Sequence, residues 1–382
     1  MTARAVLPLR GRFADASDEF PDVPETELVL APASLEEAAE MLRAASDLAV
    51  PLLVWGGGTH QGLGHPVDSD VILVTRRLAA VVDWQPEDLT VVVEAGLPVA
   101  DLEALLAERN QTAVLPEGPV AVSGGAATVG GVVAAGISGW RRLAYGPTRD
   151  RMLEVRLVTG DGRIVTAGGR VVKNVTGYDL PRLAAGSFGA LGMIGSVCLK
   201  LWPLPAASGT IPVEDAAVAR RTAYRPLAVI ETEDGASVYV AGTPEAVAGQ
   251  AADLGSAAHP GLAWPVPLVT TWVLSLRVPA NLTSEAVARG RRVLGCTSYR
   301  AAHGVGEVKL GVDELDTVAF AVLRRWAEDR LGAIVVERRP HGVDLDVDPW
   351  GAEPAGLGIQ RRIKAAFDPA GVVNPGRLPG PL

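Results

Sequence analysis

The sequence predicts an α+β protein of two or three domains in which several glycine-rich loops hold one ligand. Segments with strand and helix character alternate along both halves of the chain. Of the 43 glycines, 22 lie in three windows at positions 56–64, 118–146 and 160–195. Glycine is costly inside regular elements and useful where the backbone approaches a ligand or needs a positive φ. This clustering favours one shared ligand. The alternative explanation is codon bias, which would enrich alanine and glycine throughout and which the ratio of 31 Arg to 4 Lys also indicates.

The composition excludes several classes of site. A chain of 382 residues is long enough for two or three domains. Its two cysteines, Cys198 and Cys296, are too few for a disulfide scaffold, a four-thiolate zinc site or a four-cysteine iron–sulfur site. No metal site is predicted, and redox chemistry in this chain needs an organic cofactor. A formal charge of −9 argues against nucleic acid as a partner, because that affinity depends on clustered Lys and Arg.

A membrane span has to be considered, because 48% of the residues are hydrophobic and the mean hydropathy is +0.23. Positions 118–140 and 254–276 carry no charged side chain and are long enough to cross a bilayer. Their glycines and prolines are unsuited to a lipid-exposed helix, so we predict buried loop and strand and no membrane span. The N-terminus has no apolar core long enough for a secretory signal, and a cytoplasmic location is predicted.

The N-terminal half begins with alternating strands and helices. A short strand at 27–30 precedes Ser34, which has a glutamate three residues on and predicts a capped helix over 34–45. The next strand, 51–55, runs directly into Gly56-Gly57-Gly58-Thr59. Further strands are predicted at 71–75, 79–84 and 90–94, followed by a helix that ends near Asn110.

A second block rich in strands ends at the best domain boundary in the chain. The Asp-Gly turn at 161–162 predicts a hairpin of strands 152–159 and 163–167. Prolines and small residues at 203–209 mark the boundary. Beyond it, alternating elements predict an α+β second domain. Strands are expected near 227–232, 237–241, 307–310 and 334–337, and helices near 245–254, 284–294, 316–331 and 358–367.

The glycine loop after Trp55 differs from the Rossmann dinucleotide fingerprint. That fingerprint needs a third glycine where this chain has Gln61, and a helix where this chain predicts a strand. A Walker loop is absent too, because the sequence has no Gly-Lys-Ser/Thr triplet. What remains is a nest, in which consecutive backbone N–H groups of a glycine-rich turn bind an anion.

Four motifs, in this order, resemble the FAD loops of the vanillyl-alcohol-oxidase/PCMH flavoproteins. They are the segment 51–59, the segment 127–131, Tyr145-Gly146 with Asp150, and the segment 186–192. Within that superfamily, the runs at 169–180 and 367–377 are similar to those of the glycolate oxidase FAD-binding subunit family. The resemblance extends from Leu28 to Arg377.

The resemblance implies a PCMH-type FAD-binding domain over residues 1–205, made of two α+β subdomains that clasp FAD. It also implies an α+β cap domain over 206–357, and a C-terminal helix and tail, 358–382, that return to the FAD-binding domain. Some relatives tether FAD through a histidine at the position of Thr59. His60 is displaced by one residue, which turns an extended side chain the other way. We therefore expect FAD to be bound without a covalent link.

The resemblance further implies which residues bind FAD. Amides of the first loop would wrap the diphosphate, the second loop would oppose them, and the later loops would lie along the flavin and the adenosine. The predicted cofactor-binding residues are Gly56, Gly57, Gly58, Thr59, His60, Pro116, Thr128, Gly130, Gly131, Ser138, Gly139, Tyr145, Gly146, Lys173, Gly186, Ser187, Gly189, Gly192 and Ile194. Close helix packing is the alternative role for any one glycine, and an ion pair with Asp179 is the alternative for Lys173.

No catalytic residue is assigned from the sequence. Active glycolate and D-lactate dehydrogenases of the superfamily carry a His-x-Gly-Asp-Gly-Asn-x-His motif, which this chain lacks. Arg277, Arg300 and Trp272 are our candidates for cap side chains that face the flavin.

The resemblance implies an FAD-binding subunit of a glycolate oxidase complex that acts on a small 2-hydroxy acid. Its partners would be a sibling FAD subunit and an iron–sulfur subunit. The alternative is a stand-alone FAD-dependent oxidase or reductase that acts on a sugar acid or an aldonolactone. A scaffold with an empty FAD site is a weaker third option, because the glycine loops are intact. The two leading options differ in cap chemistry, since a stand-alone enzyme needs a base and an arginine over the flavin.

Overall fold

The strands of the molecule form three larger sheets and one two-stranded sheet in the part of the chain described here. The structure is a computed structural model and describes residues 6–116, 126–170, 177–340, 343 and 347–382. Two of the larger sheets come from the N-terminal half, and the third comes from the C-terminal half. The predicted α+β class is confirmed.

A small parallel sheet carries the first glycine loop at one end. Its strands are β1 (Leu28–Leu30), β2 (Leu53–Trp55) and β3 (Val71–Val74), in the spatial order β1-β3-β2. Strands β1 and β3 are buried throughout, which is typical of parallel strands covered on both faces. Helices α1 (Leu7–Arg10) and α2 (Leu35–Asp47) pack on this sheet. Helix α2 begins after Ser34, whose Oγ accepts a hydrogen bond from the Glu37 amide, so the predicted cap forms.

The antiparallel sheet of the N-terminal half supports the second glycine loop. This part of the chain contains β4 (Val81–Gln85), β5 (Thr90–Glu94), β6 (Gln111–Thr112), β7 (Met152–Val158), β8 (Ile164–Gly168), β9 (Met193–Lys200) and β10 (Trp202–Pro203). Five strands form the sheet in the order β4-β5-β9-β7-β8, and β6 pairs with β10. The helices are α3 (Val99–Ala107), α4 (Val129–Ala135), α5 (Arg142–Tyr145) and α6 (Leu180–Ala184). Apolar side chains of α3, α4 and the sheet share one core, which holds the start of α4 in place.

The C-terminal half forms an eight-stranded antiparallel sheet, called the cap sheet below. Its strands are β11 (Ala207–Val213), β12 (Ala228–Thr232), β13 (Gly235–Gly242), β14 (His259–Pro260), β15 (Trp272–Arg277), β16 (Ser298–Ala302), β17 (Glu307–Val312) and β18 (Ala333–Arg338). Their spatial order is β14-β11-β13-β12-β16-β17-β15-β18. The helices are α7 (Ala216–Thr222), α8 (Pro244–Asp253), α9 (Thr283–Leu294) and α10 (Thr317–Glu328), of which α9 and α10 cover one face of strands β15 to β18.

The chain passes to the cap sheet between Pro203, where β10 ends, and Ala207, where β11 begins. After the cap, helix α11 (Leu357–Phe367) leads into a tail that lies beside β2. The Leu52 amide donates to the Val372 carbonyl, and the Asn374 amide donates to the Leu52 carbonyl. We retain 1–205, 206–357 and 358–382 as the proposed domain limits.

The uncharged stretch 254–276 is less buried than predicted. Strand β15 is buried along most of its length, but Val266 is 69% exposed and Val269 is 95% exposed in the loop before it. Prolines at 265 and 267 remove the amides that a ladder needs, so these side chains have no sheet to pack against. None of the helices in the described ranges combines the length and the hydrophobicity that crossing a bilayer requires.

Candidate functional site

A cavity that is partly open to solvent lies where the first glycine loop, the start of α4 and the C-terminal tail meet. The wall is formed by Val54, Gly56, Gly57, Gly58, Thr59, His60, Gln61, Thr75, Ala95, Gly130, Gly131, Ala134, Ala135, Phe188, Gly189, Ile194, Asn374 and Arg377. The fold therefore brings segments that are hundreds of positions apart to one site.

The first loop of the wall needs glycine at three consecutive positions. A Cβ on Gly57 would lie 1.7 Å from the Ala126 carbonyl oxygen, and one on Gly56 would lie 2.5 Å from Thr128 Oγ1. Gly58 has a φ of +72°, a conformation that residues with a side chain rarely adopt. The first and second loops are thus in close contact, and side chains at these positions would push them apart.

The same loop offers unused hydrogen-bond donors. The backbone N–H groups of residues 56–59 donate to no residue within the described ranges. Successive N–H groups in a glycine turn form a positive concavity that binds anions. The cavity therefore has an anion-binding edge just after β2.

Arg377 brings a buried positive charge to the wall from the tail. The residue is 4% exposed, and burial, together with the charge of Arg339, lowers its pKa to about 10. Its guanidinium donates to the carbonyl oxygens of His60, Gln61 and His65 at 3.2, 3.0 and 3.1 Å. No carboxylate among the described residues forms an ion pair with it. This charge is suited to an anionic ligand.

Asn374 holds the tail against the cavity. Its Oδ1 accepts a hydrogen bond from the Val54 amide at 2.7 Å, and its Nδ2 donates to the Phe188 carbonyl at 2.6 Å. Its φ is +43°, and asparagine tolerates this left-handed region better than most residues. Nothing local in the Asn-Pro-Gly-Arg ending predicts contact with a strand 320 positions earlier, so Asn374 and Arg377 are absent from the predicted site.

Nine of the nineteen predicted cofactor-binding residues line this cavity: Gly56, Gly57, Gly58, Thr59, His60, Gly130, Gly131, Gly189 and Ile194. Nine others lie outside its wall: Pro116, Thr128, Ser138, Gly139, Tyr145, Gly146, Gly186, Ser187 and Gly192. Lys173 lies outside the described residues. The roles of all nineteen toward a cofactor stay predictions.

Two of the predicted residues outside the wall, Ser138 and Gly146, contact Arg151, which is fully buried. Its guanidinium donates to the carbonyls of Ser138 and Gly146 at 3.4 and 3.0 Å, and burial lowers its pKa to about 10. Gly139 packs against Pro116, where a Cβ would lie 2.9 Å from the Pro116 Cβ. A lone arginine before a strand gives no sequence signal that it holds loop carbonyls, so Arg151 is, after Asn374 and Arg377, the third residue that the sequence does not predict.

Two predicted residues outside the wall have structural contacts. Thr128 Oγ1 accepts a hydrogen bond from the Gly131 amide at 3.2 Å and caps α4. Gly192 has a φ of +141°, and a Cβ there would lie 2.3 Å from the Val158 carbonyl oxygen. Gly192 thus has a structural reason to be glycine, its close packing against strand β7, and its role toward a cofactor stays a prediction.

His60 lies on the cavity wall at the end of the first loop. Its Nδ1 is 2.9 Å from Thr59 Oγ1. Burial lowers the pKa of His60 to about 4, with Glu337 opposing and Lys309 adding to the effect. The imidazole is therefore neutral near pH 7.

The three cap candidates do not meet at the cavity. Trp272 is buried in the core under α9 and α10, so the expectation that it faces the flavin is wrong. Arg300 forms an ion pair with Glu233 at 2.6 Å and is 7% exposed. The side chain of Arg277 is 56% exposed at the end of β15.

A family model described as an FAD binding domain matches residues 26–168. This range contains the first glycine loop and the glycines that cap and begin α4. The chain contains an FAD-binding domain. The predicted resemblance to FAD-linked flavoproteins is confirmed.

This FAD-binding chain is similar to subunits of glycolate oxidases. It is 39% identical over 158 residues to glycolate oxidase subunit GlcE of Escherichia coli, which covers 41% of this chain and 44% of that protein. It is 31% identical over 198 residues to subunit GlcD of Bacillus subtilis, which covers 52% of this chain and 41% of that protein. A D-lactate dehydrogenase of Archaeoglobus fulgidus is 30% identical over 184 residues, 48% of this chain and 40% of that protein. The chain thus matches less than half the length of each of these relatives.

A solved structure, that of alkyldihydroxyacetonephosphate synthase, superposes with a TM-score of 0.66. The superposition covers 93% of this chain and 78% of that chain at 16% identity, so it shows the fold alone. The fold is PCMH-type, and the predicted fold class is confirmed.

The cavity fits FAD on three observations. The free amides of residues 56–59 would hold the doubly charged diphosphate. Arg377 would add a buried positive charge near the same loop. Glycine at positions 56, 57 and 58 allows the first loop to pack against the second loop and Trp55, which keeps both loops at the cavity wall.

We predict that Arg377→Met raises the Kd for FAD by about tenfold to a hundredfold, because contacts with a charged group contribute about 1.5–3 kcal/mol. The measurement is titration of the flavin-free chain with FAD, followed by quenching of flavin fluorescence. Arg377→Lys should retain part of the affinity. Arg362→Met, which removes an exposed cation from α11, is the matched control and should bind FAD like the wild type. Equal affinities for Arg377→Met and the wild type would contradict this role.

Proposed function

We propose that this chain is the FAD-binding subunit of a glycolate oxidase-type complex and takes part in the oxidation of a small 2-hydroxy acid. The proposal depends on the glycine-lined cavity with its anion-binding edge inside an FAD-binding domain. Similarity to glycolate oxidase subunits and to a D-lactate dehydrogenase supports the substrate class. The proposed partners are a sibling FAD subunit and an iron–sulfur subunit.

The chain's own residues would bind and orient the cofactor. Residues 56–59 and Arg377 would hold the diphosphate, and Asn374 would keep the tail closed over the same end. FAD, when bound, supplies a two-electron acceptor for hydride from the carbon that bears the substrate hydroxyl. His60 is neutral and lies on the cavity wall, where it offers a hydrogen-bonding nitrogen.

Electrons that such a subunit takes from its substrate must be passed on to an electron acceptor. Cys198 and Cys296 are both buried, and burial raises their pKa values to about 12 and about 11. Neither thiolate forms near neutral pH, and the sequence has no other cysteine, so the chain lacks a thiol relay. We therefore assign electron transfer to a partner subunit in this proposal.

A stand-alone FAD-dependent oxidase or reductase is the second candidate. One observation favours it: the cap residues Lys309 and Glu337 form an ion pair whose charges act on His60. Charged groups beside a neutral imidazole are the kind of cap chemistry that an independent enzyme needs.

Steady-state assays separate the two candidates. The FAD-loaded chain is given glycolate or D-lactate with an artificial electron acceptor, first alone and then after coexpression with candidate partner subunits. We expect slow or no turnover by the chain alone and a gain in the purified complex. Brisk turnover without any added subunit would favour the stand-alone enzyme. No turnover in either setting, with no partner copurifying, would contradict both.

We predict that acid or heat releases all the flavin as FAD. Thr59 has no ring nitrogen to form a link to the flavin, and the Nδ1 of His60 faces the Thr59 hydroxyl. The measurement is the partition of flavin absorbance between supernatant and precipitate after denaturation. Flavin that stays with the precipitated wild type and is released from a His60→Ala variant would show a covalent link instead.

A further inference from the structure

The cap sheet has an apolar face and a polar face at strands β17, β15 and β18. The apolar face packs under α9 and α10 through Leu274, Leu276, Val308, Leu310, Ile334 and Val336. Side chains alternate along a strand, so Ser275 and its cross-strand neighbours Lys309 and Val335 point to the opposite face. The cap's own helices therefore leave this polar face uncovered.

The polar face lies against the FAD-binding domain. The loop after His60 contacts β18, because a Cβ on Gly62 would lie 3.6 Å from the Glu337 carbonyl oxygen. Further along the sheet, Tyr145 packs in one apolar cluster with Ile230 of β12. The cap sheet and the His60 loop thus form two walls of one interface.

Lys309 and Glu337 form an ion pair in this interface. Their Nζ and Oε1 atoms are 2.6 Å apart, and 25% and 17% of the two side chains remain exposed. Burial opposes the charge on Lys309, but Glu337 and Glu307 outweigh it and raise the pKa of Lys309. Burial also opposes the charge on Glu337, and Lys309 outweighs it and lowers the pKa of Glu337. Both groups are therefore charged near pH 7.

The Lys309 ammonium has donors to spare. An ammonium carries three N–H donors, and Nζ has one hydrogen bond to a described residue, the one to Glu337. Ser275, directly across the strand pair, is 2% exposed, and its Oγ has no hydrogen-bond partner in the described part of the chain. Buried polar groups are normally satisfied, so an unpartnered hydroxyl on the cross-strand neighbour of Lys309 indicates a place for a ligand or water.

The charged groups at this interface carry an excess of one positive charge. The groups that act on Arg142 or Lys309, together with these two, are four cations and three anions: Arg142, Arg149, Arg277 and Lys309 against Asp150, Glu307 and Glu337. Arg300, the cross-strand neighbour of Lys309, is neutralised by its ion pair with Glu233. The charges of Glu307 and Arg277 act on both Arg142 and Lys309, which places these groups in one field. His60 is neutral and adds no charge. Such a field favours a ligand with a single negative charge.

We propose that Lys309 and Ser275 bind the carboxylate of a small 2-hydroxy acid and that His60 accepts a hydrogen bond from its hydroxyl. This inference rests on the proposed function and names the substrate-binding side of the same site. In this proposal the His60 tautomer is the one in which Nδ1–H donates to Thr59 Oγ1, 2.9 Å away, so that the lone pair of Nε2 accepts the hydrogen bond from the substrate hydroxyl. Glu337 acts as a positioning residue that holds the ammonium.

The test compares ligand binding by the FAD-loaded wild type and variants with equal flavin content. Each protein is titrated without oxygen with D-lactate, glycolate and the uncharged lactamide, and binding is followed by the change in the flavin absorption spectrum and by equilibrium dialysis. Lys309→Met should raise the Kd for D-lactate by about tenfold to a hundredfold and change that for lactamide less than about threefold. Lys309→Arg should restore part of the affinity for D-lactate, and Ser275→Ala should weaken it less than Lys309→Met.

Two further variants make the test selective. Arg325→Met removes an exposed cation from α10, on the far side of the cap sheet, and should leave every Kd unchanged. Lys309→Met combined with Glu337→Gln removes the ammonium without leaving an unpaired carboxylate, and its Kd for D-lactate should rise as much as that of Lys309→Met.

The possible results distinguish this site from the proposed function. Unchanged D-lactate binding by flavin-loaded Lys309→Met, with binding by the wild type intact, would overturn the site and leave the proposed function standing. An equal loss of affinity for D-lactate and for lactamide in Lys309→Met would show a structural effect and contradict the role of Lys309 in binding the carboxylate. Failure of the wild type to bind either D-lactate or glycolate would overturn the proposed function, and this site with it.

Discussion

Replacing Gly57 by alanine is expected to abolish FAD binding, with the flavin content of the purified chain falling below about a tenth of the wild-type value. The new Cβ would lie 1.7 Å from the Ala126 carbonyl oxygen, a distance that no side-chain rotation relieves. The first two glycine loops would have to separate, and the amides of residues 56–59 would move away from the ligand. Flavin absorbance relative to protein absorbance measures the effect.

A glycine with free space around it provides the matched control. Gly249 lies in α8, and apart from its chain neighbours and the helix's own backbone no atom is within 4 Å of the position that an added methyl carbon would take. Gly249→Ala should keep full flavin content and stabilise the helix by about 1 kcal/mol. Far-UV circular dichroism should show that Gly57→Ala retains its mixed α and β signal. Normal flavin content in Gly57→Ala would mean that FAD binds elsewhere.

Replacing Asp368 by asparagine is expected to lower the free energy of unfolding by about 3–5 kcal/mol, the cost of leaving a buried charge without its partner. Asp368 is 1% exposed, and its Oδ2 is 2.6 Å from Lys364 Nζ. Its carboxylate also accepts hydrogen bonds from the amides of Val372 and Val373 at 3.1 and 2.9 Å. Urea denaturation of the flavin-free proteins measures the change without the contribution of bound FAD.

The same carboxylate connects the stability of the tail to the cavity. Lys364 Nζ donates to the Ala190 and Val373 carbonyls, and Asn374, the next residue, holds the tail against β2. Asp368→Asn should therefore also weaken FAD binding. The double variant with Lys364→Met should be destabilised by less than the sum of the two single changes, because it leaves no unpaired charge.

An exposed ion pair provides the control for this prediction. The Asp161 side chain is 33% exposed and pairs with Arg163 at 2.7 Å. Exposed pairs contribute about 0–1 kcal/mol, so Asp161→Asn should change the free energy of unfolding by no more than that. Losses of equal size at positions 161 and 368 would contradict a special role for the buried pair.

The local parts of the fold were predictable because their signals lie within a few residues of one another. Ser34 and Glu37 form the predicted cap within one turn of helix. The run from Gly56 to Gly58 has its own reason for being glycine, the close approach of the second loop and a left-handed φ. Such patterns also carry the family resemblance, so the FAD-binding domain could be predicted from the sequence.

The rest of the site depends on contacts between distant segments. Arg377 and Asn374 reach the cavity because the tail pairs beside β2. The family resemblance implied that the tail returns to the FAD-binding domain, but no local pattern predicted its pairing with β2 or these two side chains at the cavity. Arg151 acts through carbonyls of a loop that packs around it. The residue types of Arg377, Asn374 and Arg151 do not distinguish them in the sequence, and only their burial in the fold gives them their contacts.

The cap sheet shows most clearly what the sequence determines and what only the tertiary structure determines. The sequence by itself determined that strands and helices alternate after residue 209. It also determined that the chain lacks the His-x-Gly-Asp-Gly-Asn-x-His motif of active glycolate and D-lactate dehydrogenases. It could not determine which face of each strand is covered, because Trp272 and Ser275 belong to the same strand and α9 and α10 decide which of them enters the core. Only the tertiary structure placed Trp272 inside and turned Ser275 and Lys309 toward the FAD-binding domain. The physical reason is that alternation specifies two faces, whereas packing selects the one that is buried.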